Sequence, residues 1–212
     1  MQKINVGIAG YGKMGKIREN SFSDSSEVTL ASIFDSNQKD IQTAAVVCES
    51  YEELLDSNID AVFVAAYVNV SAEYVLRALK KGKHVFCEKP PGRTLGDIQR
   101  MREAEAANPG TKLMFGFNHR YHPGVVRAKS IVDSGRLGKV LSIRGLYGKS
   151  GGKDFGNSWR NDFVSSGGGI LLDQGIHMLD LFILFMGNFS SIKAFLSNSH
   201  WEFDVEDNAV VI

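Results

Sequence analysis

With 212 residues, 43% of them hydrophobic, the chain is long enough for one large domain or two small ones and for a sizeable core. Its 24 basic and 24 acidic side chains cancel to zero net charge, which excludes an electrostatic footprint for nucleic acid or an anionic membrane surface. Cys48 and Cys87 lie in or beside apolar runs without metal-ligand spacing, so they read as reduced core thiols of a cytoplasmic protein, and no metal is expected. No cationic, apolar leader precedes the first strand, and no signal peptide is expected.

Residues 3–9 read as a buried strand, followed at once by Gly10-Tyr11-Gly12-Lys13-Met14-Gly15 and a helix-compatible run. This is G-x-G-x-x-G between a strand and a helix, the arrangement that binds a dinucleotide. Its glycines allow a tight turn, close approach to a pyrophosphate and close helix–strand packing, with the helix N-terminus facing the anion. A second β-like run, 28–34, ends in Asp35, placed to accept hydrogen bonds from the adenosine ribose hydroxyls. No Arg or Lys follows until Lys39, so a 2′-phosphate meets repulsion without a cationic partner, which favours NAD over NADP. The competing reading is a glycine-rich turn with an unrelated surface aspartate.

The alternation continues with a short strand at 45–48, a helix at 51–55, and an apolar run at 60–66 suited to a central parallel strand. A helix is expected over 71–81, with Ala72, Val75, Leu76 and Leu79 on one face and Gly82 as its C′ glycine. A strand follows at 84–87, then a helix opened by Thr94 and Asp97 in capping-box style and running to about residue 107, then a strand at 112–117. Together these predict a doubly wound parallel sheet over residues 1–118. Glu88-Lys89-Pro90-Pro91 falls at the C-terminal end of a strand, where open α/β sheets bind ligands, and the prolines hold the backbone stiff around Lys89. A cis bond before Pro90 is compatible with the sequence.

A second domain is expected over 119–212. Asn118-His119-Arg120-Tyr121-His122-Pro123 concentrates hydrogen-bonding side chains, and Pro123 suits the first turn of a helix to about residue 134. The alternation over 140–146 predicts a sheet strand, and 148–158 reads as a mobile loop whose Lys149 and Lys153 are solvated or meet an anionic substrate. Gly167-Gly168-Gly169 forms a flexible entry to 170–186, apolar almost all round as a buried helix should be. This run is slightly short for a membrane span and carries two aspartates and a histidine, so no membrane partner is expected. Asp173, His177 and Asp180 form one polar stripe, which pairs internally as a core network or lines a cavity; an Asp and a His together point to proton transfer. Residues 191–196 and 209–212 read as further strands, and there is no internal repeat.

Four motifs in order now stand out: Gly10-x-Gly12-x-x-Gly15, Glu88-Lys89-Pro90, Asn118-x-Arg120-x-x-Pro123, and Gly167-Gly168-Gly169 leading to Asp173, Gly175 and His177. This set resembles the Gfo/Idh/MocA family of sugar and cyclitol dehydrogenases over the whole chain. The resemblance implies a Rossmann domain followed by an α+β domain with an open, mostly antiparallel sheet, incomplete here, because family members run longer. It implies a nicotinamide cofactor, NAD, contacting Gly10, Tyr11, Gly12, Lys13, Met14, Gly15, Asp35, Ala66, Glu88, Lys89 and Asn118. It implies a carbohydrate-like substrate near Lys89, Arg120, Trp159, Arg160, Asp173 and His177, and a catalytic trio of Lys89, Asp173 and His177. In that trio His177 is the base, Asp173 orients it or binds a neighbouring hydroxyl, and Lys89 favours the developing alkoxide. The family's usual Thr-Pro-Asn and His after the fourth strand are replaced by Ala66-Tyr67-Val68 and Ser71, so different contacts around the nicotinamide ribose are expected. A homo-oligomer is expected. The competing readings are an NAD-dependent glycosidase of the same fold and a dinucleotide-sensing protein without turnover.

Overall fold

A computed structural model describes residues 3–37, 41–152 and 155–212, so Lys39 and Lys153 lie outside the described residues. The chain divides into two compact units, Met1–Gly116 and Phe117–Ile212.

In the first unit the elements follow in order: β1 (Ile4–Ala9), α1 (Lys13–Phe22), β2 (Val28–Phe34), β3 (Val46–Val47), α2 (Tyr51–Asp56), β4 (Ala61–Val64), α3 (Val68–Lys80), β5 (His84–Cys87), α4 (Leu95–Ala107) and β6 (Leu113–Phe115). The strands form one sheet in the order β3-β2-β1-β4-β5-β6, and every pairing is parallel. Strand order therefore reverses between β1 and β4, and ligands of such sheets bind beyond the strand ends at that point. Parallel strands covered on both faces need continuous apolar runs. Here Val62, Val64, Val85 and Cys87 pack with Leu54, Leu55, Val75, Leu79 and Met101, while Ile8, Tyr11 and Ile33 form a second cluster against Phe22 and Phe63.

Local chemistry sets the helix ends. Ser50 caps α2 by accepting the Glu53 N–H at 3.1 Å. Thr94 and Asp97 form the expected reciprocal capping box on α4. Gly82 takes φ +72°, the left-handed conformation that closes a helix. Helix α3 starts earlier than its apolar periodicity suggests: the buried Ser71 hydroxyl donates to the Tyr67 carbonyl at 2.9 Å, which ties down the first turn.

The second unit holds a 3-10 turn (Asn118–Tyr121), α5 (Pro123–Asp133), 3-10 turns at Phe155–Asn157 and Trp159–Asn161, α6 (Phe163–Ser166), a π turn (Leu171–Gly175), α7 (Ile176–Met186), and the antiparallel pair β7 (Ala194–Ser197) and β8 (Asn208–Val211). Three expectations are corrected. Residues 140–146 form no strand: alternation sets which side chains share a face, but a strand also needs a hydrogen-bonding neighbour, and this stretch pairs with none among the described residues. The run 170–186 is neither one α-helix nor buried; a π turn widens its start, and His177 is its one buried residue. Nor are the three glycines a flexible entry. Gly167 sits at φ +79° and ends α6, while a Cβ on Gly169 would stand 1.9 Å from the Glu206 carbonyl oxygen. By length and composition Phe163–Met186 would suffice to cross a membrane, with mean hydropathy 1.5, but the segment is broken at these glycines.

Candidate active site

The first unit builds a turn fitted to a dinucleotide. Gly10 takes φ +91°, and a Cβ there would meet the Ala65 carbonyl carbon at 2.6 Å, so only glycine lets the turn lie against the end of β4. A Cβ on Gly15 would stand 2.2 Å from the Gly10 oxygen, so this glycine lets α1 close on the turn. Gly12 differs: a Cβ there meets nothing, leaving open room where a ligand backbone would pass. No side chain caps α1 at Gly12, and its first turn carries no acid, so its amides suit a pyrophosphate. Lys13 is exposed and Met14 half-buried at the start of that helix.

Asp35 ties β2 to this turn. Its Oδ2 accepts the Tyr11 N–H at 2.6 Å and its Oδ1 the Asn37 N–H at 2.8 Å. A carboxylate has about four lone-pair sites, so ribose hydroxyls can share the same oxygens. Tyr11 also braces the turn from within. Its ring is buried, its hydroxyl donates to Glu19, and burial first, then Glu19, pushes the phenol up to about 12.

At the end of β5 Glu88 is also committed within the protein. Arg18 Nε donates to Glu88 Oε1 at 2.5 Å, with the guanidinium 4.7 Å from the Phe86 ring centroid. Both side chains are largely buried, and the carboxylate lies close enough to Gly116 that a Cβ there would meet Oε2 at 2.8 Å. The half-buried Lys89 follows, and its bond to Pro90 is cis. Ala66 is half-buried at the end of β4, and Ser71, in the place of the family's histidine, is satisfied by the Ala66 and Tyr67 carbonyls.

In the second unit each member of the stripe on 170–186 meets residues outside the stripe. Asp180 receives two bonds from Arg120, Nε to Oδ2 at 2.7 Å and Nη2 to Oδ1 at 2.6 Å, a bidentate fork. That fork ties Arg120, expected at a substrate, to Asp180 through Nε and Nη2, and it holds the guanidinium pKa above its ordinary value. Asp173 lies in the π turn, a distortion frequent at functional sites. Its Oδ2 accepts Gln174 Nε2 at 2.7 Å and lies 3.5 Å from Arg160 Nε and 4.0 Å from Lys149 Nζ. Arg160 in turn lies over the Trp159 ring, 4.5 Å from its centroid. His177 is 3% exposed; its ring lies 3.9 Å from that of His119 at 14°, and Phe117 meets it edge-on at 6.2 Å. Asn118, beside His119, is exposed.

Asp173 opens onto a cavity whose lining includes Lys149, Phe155, Arg160, Trp201 and Phe203. Trp201 and Phe203 stack at 5.3 Å and 8°, and Phe155 leans on Trp201 at 5.7 Å. Two carboxylates fasten this wall. Glu206 accepts the Gly169 and Leu171 N–H groups at 2.9 and 3.0 Å, which caps the helical segment. Asp207 accepts those of Ser199, His200 and Trp201 at 2.7–2.8 Å, and these bonds hold its carboxyl below the usual range. None of the residues Arg18, Phe155, Trp201, Phe203 and Glu206 was legible as part of a site; only the aromatic spacing Trp201-x-Phe203 offered a signal.

The family model for the oxidoreductase family with NAD-binding Rossmann fold matches residues 4–117, and that for the GFO/IDH/MocA C-terminal domain matches 125–212. The chain belongs to the Gfo/Idh/MocA family. Levoglucosan dehydrogenase of Pseudarthrobacter phenanthrenivorans is 29% identical over 93% of this chain and 55% of its own length. Glucose-6-phosphate 3-dehydrogenase of Bacillus subtilis is 31% identical over 89% and 56%. A solved structure of levoglucosan dehydrogenase in complex with NADH superposes with TM-score 0.89 at 27% identity, covering 99% of this chain and 63% of that one. The chain thus spans about half the length of the curated relatives it matches. Within this Gfo/Idh/MocA frame, the cradle of the first unit is the NAD-binding portion.

Proposed function

We propose that this chain binds NAD in its first unit and serves the oxidation of a secondary alcohol on a sugar or cyclitol ring. The observation that carries the reading is His177, a buried imidazole in the first turn of α7, four residues after an Asp173 carboxylate that lines an aromatic-walled cavity. Gly12 and the open N-terminus of α1 hold the pyrophosphate, Gly10 and Gly15 shape the turn, and Asp35 takes the ribose hydroxyls and disfavours a 2′-phosphate. NAD, when bound, supplies the hydride acceptor.

His177 takes the hydroxyl proton on a ring nitrogen, a role suited to an imidazole near neutral pH. Asp173, steadied by Gln174, Arg160 and Lys149, accepts a hydrogen bond from a neighbouring hydroxyl. Lys89 donates to the oxygen that loses its proton and favours the alkoxide. Aromatic walls with a few convergent polar groups suit a ring that has apolar C–H faces and a polar rim. Relatives named levoglucosan dehydrogenase, myo-inositol 2-dehydrogenase and glucose-6-phosphate 3-dehydrogenase support a carbohydrate class. The same reading includes a small-molecule partner and a cytoplasmic homo-oligomer, and the ionisable Asp173, His177 and Asp180 within Phe163–Met186 favour packing inside a protein over a membrane span.

The test is calorimetric titration with NAD⁺ and NADP⁺, followed by a substrate panel of those three carbohydrates read by NADH formation. NAD⁺ is expected to bind more tightly, and Asp35→Ala to erase the preference. His177→Ala is expected to lower turnover by about 10²–10⁴-fold. Turnover within a fewfold of the parent would remove His177 as base. Release of free sugar without net NADH would replace the dehydrogenase by a glycosidase, and NAD⁺ binding without any turnover by a sensor.

A further inference from the structure

We propose that His119 is a positioning residue for His177: its imidazole, face to face with that of His177, holds the base in place and lets the pair carry one proton rather than two. The inference rests on the reading of His177 as the base. His119 comes from the 3-10 turn Asn118–Tyr121 and His177 from the first turn of α7, so two elements distant in sequence are joined ring to ring. The centroids are 3.9 Å apart at 14°, among the closest ring contacts in the protein. Tyr147 extends the stack on His119 at 5.9 Å and 16°, and Phe117 meets His177 edge-on at 87°. The stack thus resists tilting of the His177 ring.

Charge adds a second constraint. Two imidazolium rings at this separation repel as like charges in a poorly solvated site, so the second proton binds much less readily than the first. Interacting groups of this kind titrate in two macroscopic steps that belong to the pair. Around the pair in the second unit stand Asp173 one turn before His177, Asp180 after it with its charge matched by Arg120, and Tyr147; Lys149 and Arg160 face Asp173. A neutral His119 leaves His177 free to take the substrate proton, whereas a charged His119 opposes it. Proton uptake by His177 during turnover is therefore favoured when His119 is neutral.

The experiment is a histidine ring NMR titration of the full 212-residue chain, its five histidines assigned by single substitution. In the parent chain the His119 and His177 signals should each titrate in two steps separated by on the order of one pH unit or more. His119→Phe keeps an aromatic ring on His177 but removes the proton site, so the His177 signal should collapse to a single step. His177→Phe should do the same to His119, since coupling is reciprocal. A single step for His177 with the same midpoint in parent and His119→Phe would overturn the proposal. Turnover against pH supplies the second readout: His119→Ala, which removes the stack, should lower kcat, and His119→Phe should restore part of it while narrowing the acid limb to one ionisation. If His119→Ala and His119→Phe lose kcat equally with an unchanged pH profile, the ring does not position the base. Failure of the proton-transfer reading itself shows separately, as turnover retained by His177→Ala.

Discussion

The two units spend similar amino acids in opposite ways. Among the described residues every buried hydrophobic side chain except Val205 belongs to the first unit, where a parallel sheet is closed by helices on both faces. In the second unit the two-stranded β7–β8 sheet leaves Phe195, Leu196 and Val210 exposed, and Leu141 and Leu146 are more exposed still. A two-stranded sheet is marginal by itself, because it has edges on both sides and little apolar area to hide. Polar pins hold the second unit instead: Arg120 on Asp180, Glu206 on Gly169 and Leu171, and Asp207 on the 199–201 backbone. Asp173 and His177, the proposed proton-transfer pair, sit there too. Function drawn from the less tightly packed part of a structure is expected where a site must admit and release a ligand.

The contrast is broken most directly by truncating one apolar side chain in each unit. Leu54→Ala, at a fully buried position, should cost about 2–5 kcal/mol of unfolding free energy. Phe195→Ala, two-thirds exposed, should stay within about 0.5 kcal/mol. Equal losses in denaturant titrations would mean that the second unit hides a core after all.

A smaller effect tests the pins. Gly169→Ala places a methyl group against the Glu206 backbone, which cannot step aside cheaply, for about 1–3 kcal/mol. Both tryptophans, Trp159 and Trp201, lie in the second unit, so their fluorescence should change while NAD⁺ binding by the first unit is retained. Loss of NAD⁺ binding instead would show that the pin supports both units.

The smallest effect is a difference in pH sensitivity. Hydrogen bonds from backbone N–H groups hold Asp207 below the carboxylate range, and its bonds to Ser165 do the same for Asp162. Their stabilisation is present above the unfolded-state value, about 3.9, and is lost as pH falls through the lower folded values. In the first unit, burial raises the phenols of Tyr11, to about 12, and of Tyr51. Their stabilisation is full below the ordinary phenol value of about 10 and is lost as pH rises beyond it. Tryptophan fluorescence should therefore report the second unit loosening first in acid. In an alkaline absorbance titration, Tyr11→Phe should delete one late-ionising phenol; an unchanged late phase would place that ring in solvent.

The parallel sheet was readable because its strands are continuous apolar runs and its helices announce their ends through Ser50, Thr94, Asp97 and Gly82, all local signals. So was the dinucleotide turn, since the need for glycine at 10 and 15 is steric and short-range. The second unit was read less well. The alternation at 140–146 looked like a strand, yet no neighbour supplies its hydrogen bonds. Asp173, His177 and Asp180 read as one stripe, but their facing residues Arg160, His119 and Arg120 could not be read, because they come from far along the chain.

The sequence by itself determined the family, the order of the sheet-forming runs and the glycine-rich turn of the NAD-binding domain. Periodicity, caps and motif spacing act between residues close in the chain. The tertiary structure alone decided that Arg120 serves Asp180, that Arg18 holds Glu88, that Trp201 and Phe203 wall the cavity beside Asp173, and that His119 covers His177. Each of those facts joins residues dozens of positions apart, and which of many chemically suitable partners meet is settled only when the chain packs.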